Sequence, residues 1–265
     1  MAGVQGKHIL LTGAAGGMGR ILARRLHEEG ARLALVDANA DALAQVADAL
    51  AGAVAVPGDL ATYEGCAKVV AQAGQSLDGR IDMLINLAGL NSFAAFEDEA
   101  PARIEMLMHV NVLAPMWLTR EVLPQMQARG QGHIVNVGSI FGSIGFAYFT
   151  SYSASKFALR GFSEALRREL ADSGIKVSYI APRAVRTPMN TDKVMRMGEA
   201  TKMNMDDPET VVERILDAIR KERKDVYLGF PESLFVRINM LLPRLVDKAL
   251  AAQNRIARKF AKSEE

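Results

Sequence analysis

Seven short apolar runs recur along the chain, each separated from the next by a segment of helical character. The first is His8–Thr12, and the others cover residues 32–37, 53–57, 82–88, 133–138, 176–181 and 225–229. Helical patterns fill 18–29, 41–50, 64–77, 103–129, 151–172 and 208–221, the first of them closed by Gly30. The apolar runs lack a clean polar–apolar alternation, which predicts strands covered on both faces. Strands that alternate with helices need crossover connections, and these favour one hand. The expected fold is therefore α/β: a doubly wound parallel sheet of about seven strands with helices on both faces. No linker or repeat interrupts the pattern, so residues 1–265 read as one domain. Two stretches fit the alternation poorly, 189–205 and everything from Pro231 onward.

Composition narrows the function. A net charge of +2 gives no reason to expect nucleic acid. One cysteine, Cys66, rules out an intrachain disulfide and a cysteine-rich metal site, and is expected in the core. His8, His27, His109 and His133 show no metal-ligand spacing, so no metal is expected. Residues 134–155 carry no charge, but Gly138, Gly142 and Gly145 and many polar side chains break the apolar run that a membrane span needs. Residues 1–8 hold no apolar signal-peptide core, and a cytoplasmic setting is expected.

The first run enters the turn Thr12-Gly13-Ala14-Ala15-Gly16-Gly17-Met18-Gly19. Glycines there let the backbone pass close to a pyrophosphate, and the helix that follows points free N–H groups and a positive dipole end at it. Position matters as much as composition, because the turn lies between a strand and a helix. Asp37 ends the second run, 24 residues after Gly13, where a carboxylate meets the hydroxyls of an adenine ribose. A 2′-phosphate would be repelled there by roughly 4 kcal/mol per unit charge at 4 Å. Ala38 and Asn39 bring no offsetting cation, so NAD is expected over NADP. The alternative for Asp37 is a cap on the next helix.

Tyr152 and Lys156 stand four residues apart, on one helix face. Ser139 follows the fifth run, at the sheet edge where ligands bind in such folds. A tyrosine is a poor acid/base at its free pKa near 10, and an ammonium at about 4–5 Å is expected to lower it by roughly 2–3 pH units. Ser139 is placed to polarise a substrate oxygen. Asn111 lies within the long helical region, where asparagine is a mediocre helix former. Together these residues suit proton transfer at a carbonyl or alcohol oxygen.

These motifs, in this order, resemble the short-chain dehydrogenase/reductase family over roughly residues 5–230, which implies a Rossmann-like fold. Thr12 to Gly19 matches the family's TGxxxGxG turn, and Asn86-Leu87-Ala88-Gly89 resembles its NNAG motif with Leu87 in place of the second Asn. Asn111, Ser139, Tyr152 and Lys156 match its catalytic tetrad, in which the Asn holds the Lys through water and the Lys also binds the nicotinamide ribose. The resemblance implies cofactor contacts from Gly13, Gly17, Met18, Gly19, Asp37, Asp59, Leu60, Asn86, Ala88, Gly89, Tyr152, Lys156, Pro182, Val185 and Thr187. Residues 182–187 resemble its PGxxxT segment, with Arg183 in place of the Gly. The tail is similar to that of members with an extended apolar C-terminal segment, often acting on steroids, lipids or other large apolar substrates. Homodimers or homotetramers are the usual assemblies.

Five of the 13 methionines fall between residues 189 and 205, and residues 189–207 read as a substrate lid with an adaptable apolar surface. Phe141, Ile144, Phe146, Tyr148 and Phe149 are expected to add apolar wall, so a bulky apolar secondary alcohol or ketone is the expected substrate. Residues 231–265 read as an amphipathic extension: Leu245, Ala249, Ala252, Ile256 and Phe260 form one stripe beside a basic one of Arg244, Lys248, Arg255, Lys259 and Lys262. That stripe is expected to meet a second subunit, the chain's own pocket, or a membrane surface. The leading reading is an NAD-dependent oxidoreductase. An NADPH-linked ketoreductase and a non-catalytic dinucleotide sensor are the alternatives.

Overall fold

The computed structural model describes residues 3–262; the ends of the expected domain and of its tail, residues 1–2 and 263–265, lie outside the described residues. Seven strands form one sheet: β1 His8–Thr12, β2 Arg32–Val36, β3 Val54–Ala55, β4 Met83–Asn86, β5 Gly132–Val137, β6 Ile175–Ala181 and β7 Asp225–Tyr227. Their order is β3-β2-β1-β4-β5-β6-β7, and every pairing is parallel. The strand order thus reverses between β1 and β4, which opens a crevice at the strands' C-terminal ends. The doubly wound, Rossmann-like fold read from the sequence is the one the chain adopts.

Burial on both faces explains the missing alternation. Ile9 and Leu11 of β1 pack into one core with α1 (Gly17–Glu28) and the later helix Pro208–Arg220. Leu10 packs into the opposite core with α3 (Tyr63–Ser76), which follows α2 (Ala40–Asp48). Cys66 is buried in this second core, and burial pushes its thiol up to about 12.

The long helical region is continuous but not uniform. It runs as α4 (Pro101–Met108), a π-helical turn His109–Leu113 and α5 (Ala114–Arg129). Next come α6 (Thr150–Glu169), α7 (Asp192–Ala200), which lies within the expected lid, and α8 (Pro208–Arg220). The tail forms α9 (Glu232–Leu241) and α10 (Pro243–Ala261).

The tail helix packs by a different face from the expected stripe. Val246, Ala257 and Ala261 are its buried residues, whereas Leu245 is 55% exposed and Ala249 and Ala252 are exposed. The packed face is rotated by about one residue, toward Val246, Leu250, Ala257 and Ala261, and Phe260 of the expected stripe stays partly buried against it. Ala257 packs with Val194 and Met197 of α7, so within the chain the tail folds back onto the lid region. No helix among the described residues is long and apolar enough to cross a membrane.

Candidate active site

The ends of β1 and β4 are pinned together by Thr12. Its hydroxyl donates to the Ile85 carbonyl at 3.3 Å and accepts the Leu87 and Ala88 N–H groups at 3.1 Å each. The backbone of Gly13 turns with φ +70°, and a Cβ there would lie 2.8 Å from the Ala88 backbone. A Cβ on Gly19 would lie 1.9 Å from the Gly13 carbonyl oxygen, and one on Gly17 would lie 3.0 Å from the Thr187 side chain. The turn therefore needs its glycines for packing as well as for ligand approach. α1 starts at this turn with no side-chain cap, unlike α2, α3, α7 and α8, which Asn39, Thr62, Thr191 and Asp207 cap. Its first N–H groups are left for another acceptor.

Asp37 supports the turn from the end of β2. Its Oδ2 accepts the Ala15 N–H at 3.0 Å and its Oδ1 accepts the Asn39 N–H at 3.1 Å. The cap of α2 is Asn39, which settles the alternative raised for Asp37. Asp59 follows β3, and its Oδ1 accepts the Ala61 N–H at 2.8 Å, while Leu60 beside it is buried.

A cleft opens along the same sheet edge. Gly89, Ser139, Tyr152, Lys156, Pro182 and Thr187 all line it, with Met18 and Val185 on the same wall. Ser139 begins the short helical turn Ile140–Gly142; its hydroxyl accepts the Phe141 N–H at 3.1 Å and lies close enough to the Tyr152 phenol to favour the phenolate. Lys156 is buried, donates to the Val137 carbonyl at 3.4 Å, and holds its Nζ 5.8 Å from the centre of the Tyr152 ring.

Electrostatics in this cleft differ from the sequence expectation. Burial pushes the Tyr152 phenol up to about 12, against the nearby Ser139 hydroxyl that favours the phenolate. Burial also pushes the Lys156 ammonium down to about 8. The Lys156 ammonium lies 5.8 Å from the ring centre, and a unit charge at about 6 Å is worth roughly 3 kcal/mol at an effective dielectric of 20, enough to offset desolvation but not to take the phenol far below its free value.

Asn111 sits in the π-helical turn and is completely buried. Its Oδ1 accepts the Leu90 N–H at 2.8 Å, and its Nδ2 donates to the Leu90 carbonyl at 2.9 Å and the Ser155 hydroxyl at 3.0 Å. The Ser155 hydroxyl in turn donates to the Tyr152 carbonyl at 2.7 Å. The amide thus locks the loop after β4 to the helix that carries Tyr152 and Lys156. A Cβ on Gly89 would come 3.2 Å from Asn111 Oδ1 and 3.4 Å from Lys156 Nζ, so the loop passes tightly between them.

Not every residue singled out faces the cleft. Asn86 pairs with Asn136 in register, donates to its Oδ1 at 2.8 Å, and Asn136 passes the chain on to the Ser163 hydroxyl at 2.8 Å. Its side chain joins β4, β5 and α6 inside the molecule. Other residues were missed. Asn91, just past Gly89, lines the cleft with a buried side-chain oxygen that has no protein partner. Ser155, lying between Tyr152 and Lys156 in sequence, couples Asn111 to α6. Arg183 pairs with Asp206 at 2.6 Å and with Glu232 at 2.7 Å. Its substitution for glycine was a visible signal; its partners were not.

The chain is similar to known proteins. The family model for short chain dehydrogenase matches residues 7–197. Ketoacyl reductase HetN of Nostoc sp. is 34% identical over 259 residues, covering 94% of this chain and 89% of that protein. Dehydrogenase/reductase SDR family member 7B of Bos taurus is 34% identical over 269 residues, covering 95% of this chain and 82% of that protein. A short chain dehydrogenase/reductase from Burkholderia phymatum, solved in complex with NAD, shares the fold with a TM-score of 0.83 at 22% identity, over 93% of this chain and 97% of that one. The 3-ketoacyl-(acyl-carrier-protein) reductase from Brucella melitensis, complexed with NADH, has a TM-score of 0.79 at 25% identity, over 87% of this chain and 99% of that one.

Proposed function

Because the chain belongs to the short-chain dehydrogenase family of NAD(P)-dependent oxidoreductases, we propose that this cleft interconverts a bulky apolar ketone and its secondary alcohol, with NAD(H) as the preferred cofactor and Tyr152 as the acid/base. One observation carries the reading: Ser139, Tyr152 and Lys156 meet in a single cleft at the sheet edge.

The residues present fit a nicotinamide dinucleotide. The uncapped start of α1 offers N–H groups to a pyrophosphate, Asp37 stands at the end of β2 for the adenine ribose, and Lys156 lies in the cleft for the second ribose. When bound, this cofactor supplies or accepts the hydride. Tyr152 gives its proton to the substrate oxygen in reduction and takes it back in oxidation. Ser139 donates to the same oxygen and stabilises charge developing there. The Lys156 ammonium stabilises the phenolate left after proton donation, and Asn111 positions α6 through Ser155.

The wall of the cleft supports an apolar substrate. Phe141, Phe149, Met189, Val194 and Met203 line it, the last three from the segment read as a lid. A ketoacyl reductase among the relatives is consistent with a carbonyl attached to a longer chain. Arg20 favours a second reading, use of NADP(H): its Nε donates at 2.7 Å to the carbonyl of Ala15, whose N–H Asp37 holds, and so brings a cation to the turn.

Tyr152→Phe tests the proposal. Turnover is expected to fall at least a thousandfold while NAD+ affinity by calorimetry stays within a few-fold. Near wild-type turnover in that variant sinks the mechanism.

A further inference from the structure

A second cavity, of about 260 Å3, lies beyond the catalytic cleft. It is a partly open space bounded by α7, α9, α10 and the aromatic segment after Ser139, through Met197, Phe235, Leu250, Ala257 and Phe146. Phe141, Phe149 and Met203 line both spaces, so the cavity and the cleft share a wall. Phe141 is the hinge point of that wall. Its ring lies 5.9 Å from the ring of Tyr152 and stacks at 4.2 Å on Phe146, which lines only the cavity. Met203, unbranched and adaptable, forms another part of the boundary.

Of the polar side chains on the cavity wall, Lys202 and Asn254 have no protein partner among the described residues, and the others are paired. Arg183 is bonded to Glu232, Glu232 also accepts from Asn204 at 2.9 Å, and the Thr201 hydroxyl donates to the Met197 carbonyl at 2.8 Å. Gln253 of α10 donates to the Thr201 carbonyl at 3.5 Å. A ligand made only of carbon and hydrogen leaves none of these groups newly unsatisfied. Liquid water takes about 30 Å3 per molecule, and a methylene is of similar size, so the space holds roughly eight chain carbons. Moreover, α9 and α10 lie beyond the part of the chain that the family model matches. The cavity therefore combines residues of the matched region, such as Phe141 and Met197, with residues of the C-terminal helices.

We propose that the cavity is the chain-binding arm of the substrate site: the reacting carbonyl sits at Tyr152 and an unbranched alkyl chain runs past Phe141 into the space beneath α9 and α10. The inference rests on the carbonyl chemistry proposed above. It adds the shape of the substrate, a methyl or acyl-type ketone with a linear tail of roughly eight carbons, and it assigns the tail's specificity to Leu250, Asn254 and Ala257. Each buried methylene favours binding about fourfold.

The test uses 2-ketones from butanone to 2-pentadecanone with the full chain. Wild-type kcat/KM is expected to climb with chain length and level off near 2-undecanone. Leu250→Trp, which fills the cavity from α10, is expected to lower kcat/KM for 2-undecanone at least tenfold and leave that for butanone within twofold. Calorimetric binding of 2-undecanone to the NAD+-loaded protein is expected to weaken in parallel. Asn254→Phe, at a partly exposed position of the same wall, serves if thermal unfolding shows Leu250→Trp to be misfolded. A flat chain-length profile, or equal losses for butanone and 2-undecanone in a folded variant, overturns the proposal. Binding of 2-undecanone that the filling variants abolish, with no turnover of any ketone, supports the cavity assignment and overturns the catalytic reading instead. Absence of both binding and turnover overturns both.

Discussion

Arg183 grips Asp206 through two parallel contacts, Nε to Oδ2 at 3.0 Å and Nη2 to Oδ1 at 2.6 Å. Its remaining nitrogen, Nη1, donates to Glu232 at 2.7 Å and to the Phe230 carbonyl at 3.0 Å. One guanidinium therefore ties the segment after β6, the far end of the lid region and the start of α9. The close fit extends to Gly229, where a Cβ would lie 2.5 Å from the Arg183 side chain. Burial works to raise the Glu232 carboxyl, but hydrogen bonds from Asn204 and Arg183 outweigh it and hold it below the usual carboxylate range. Arg183→Ala is expected to destabilise the protein by about 2 kcal/mol, between the values for exposed and buried pairs, since these side chains are only 17–20% exposed. KM for the ketone is expected to rise about tenfold with NAD+ affinity little changed. Arg183→Lys should not restore it, because an ammonium cannot form the bidentate contact. Urea unfolding and steady-state kinetics check this; unchanged KM would show that the tie does not position the lid.

The buried Tyr152–Lys156 pair sets a pH limit on reduction. With the phenol raised to about 12 and the ammonium lowered to about 8, the first proton lost from the pair as pH rises is that of Lys156. Tyr152 then still holds its proton, but the cation that stabilises the phenolate is gone. Ketone reduction is expected to decline above about pH 8, by about tenfold per pH unit, in kcat/KM profiles taken from pH 6 to pH 10. In Lys156→Arg, with a lower plateau, the decline should move beyond pH 10, because guanidinium stays charged. A wild-type profile flat to pH 10 would contradict the pair's role.

Asp37 holds the glycine turn and, in the proposed reading, also meets the adenine ribose, so its substitutions should separate two effects. Asp37→Asn keeps an acceptor for the Ala15 N–H and removes the charge. It is expected to bind NADP+ more tightly than wild type, with NAD+ affinity reduced by less than tenfold. Asp37→Ala loses the turn contact too, and should weaken both cofactors. Calorimetry with each cofactor decides the matter, and wild-type protein binding NADP+ as tightly as NAD+ would favour the Arg20 reading.

How much of this was legible beforehand depended on the range of the interactions. β1 is read correctly to the residue because a doubly buried apolar run ends at a glycine turn, both local signals. Residues 53–57 shrink to a two-residue edge strand, β3, paired only with β2, since apolar character alone does not say where a ladder stops. The π-helical turn at Asn111 leaves no mark in the pattern, because one extra residue merely shifts the phase of a helix that continues. Helix α7 went unrecognised within a methionine cluster. The partners of Arg183 lie 23 and 49 residues away, and their meeting depends on the lid and the tail packing first. The same holds for the cavity under α10: its walls come from five separate segments, none of which announces a cavity by itself.

His133 gives the fold an acid sensitivity that can be isolated. Its ring is buried in β5, and burial, with the nearby Lys176, pushes its pKa down from 6.5 to about 4. The Ser178 hydroxyl donates to the Arg223 carbonyl at 2.6 Å, so His133 Nε2 donates to Ser178 at 2.8 Å, and the neutral Nε2–H form is the one the fold selects. Between pH 6.5 and about 4 the unfolded chain therefore binds a proton that the folded chain refuses. Stability is present in full above pH 6.5 and is lost as pH falls through that window, by about 3 kcal/mol in total. His133→Gln removes this titration while keeping a donor toward Ser178. The variant is expected to be less stable than wild type at pH 7, with the difference shrinking by about 2 kcal/mol at pH 4.5. Urea denaturation of both proteins at the two pH values measures that double difference directly, and carboxylate titrations common to both cancel from it. A difference that stays constant with pH would show that His133 is protonated, or exposed, in the folded chain.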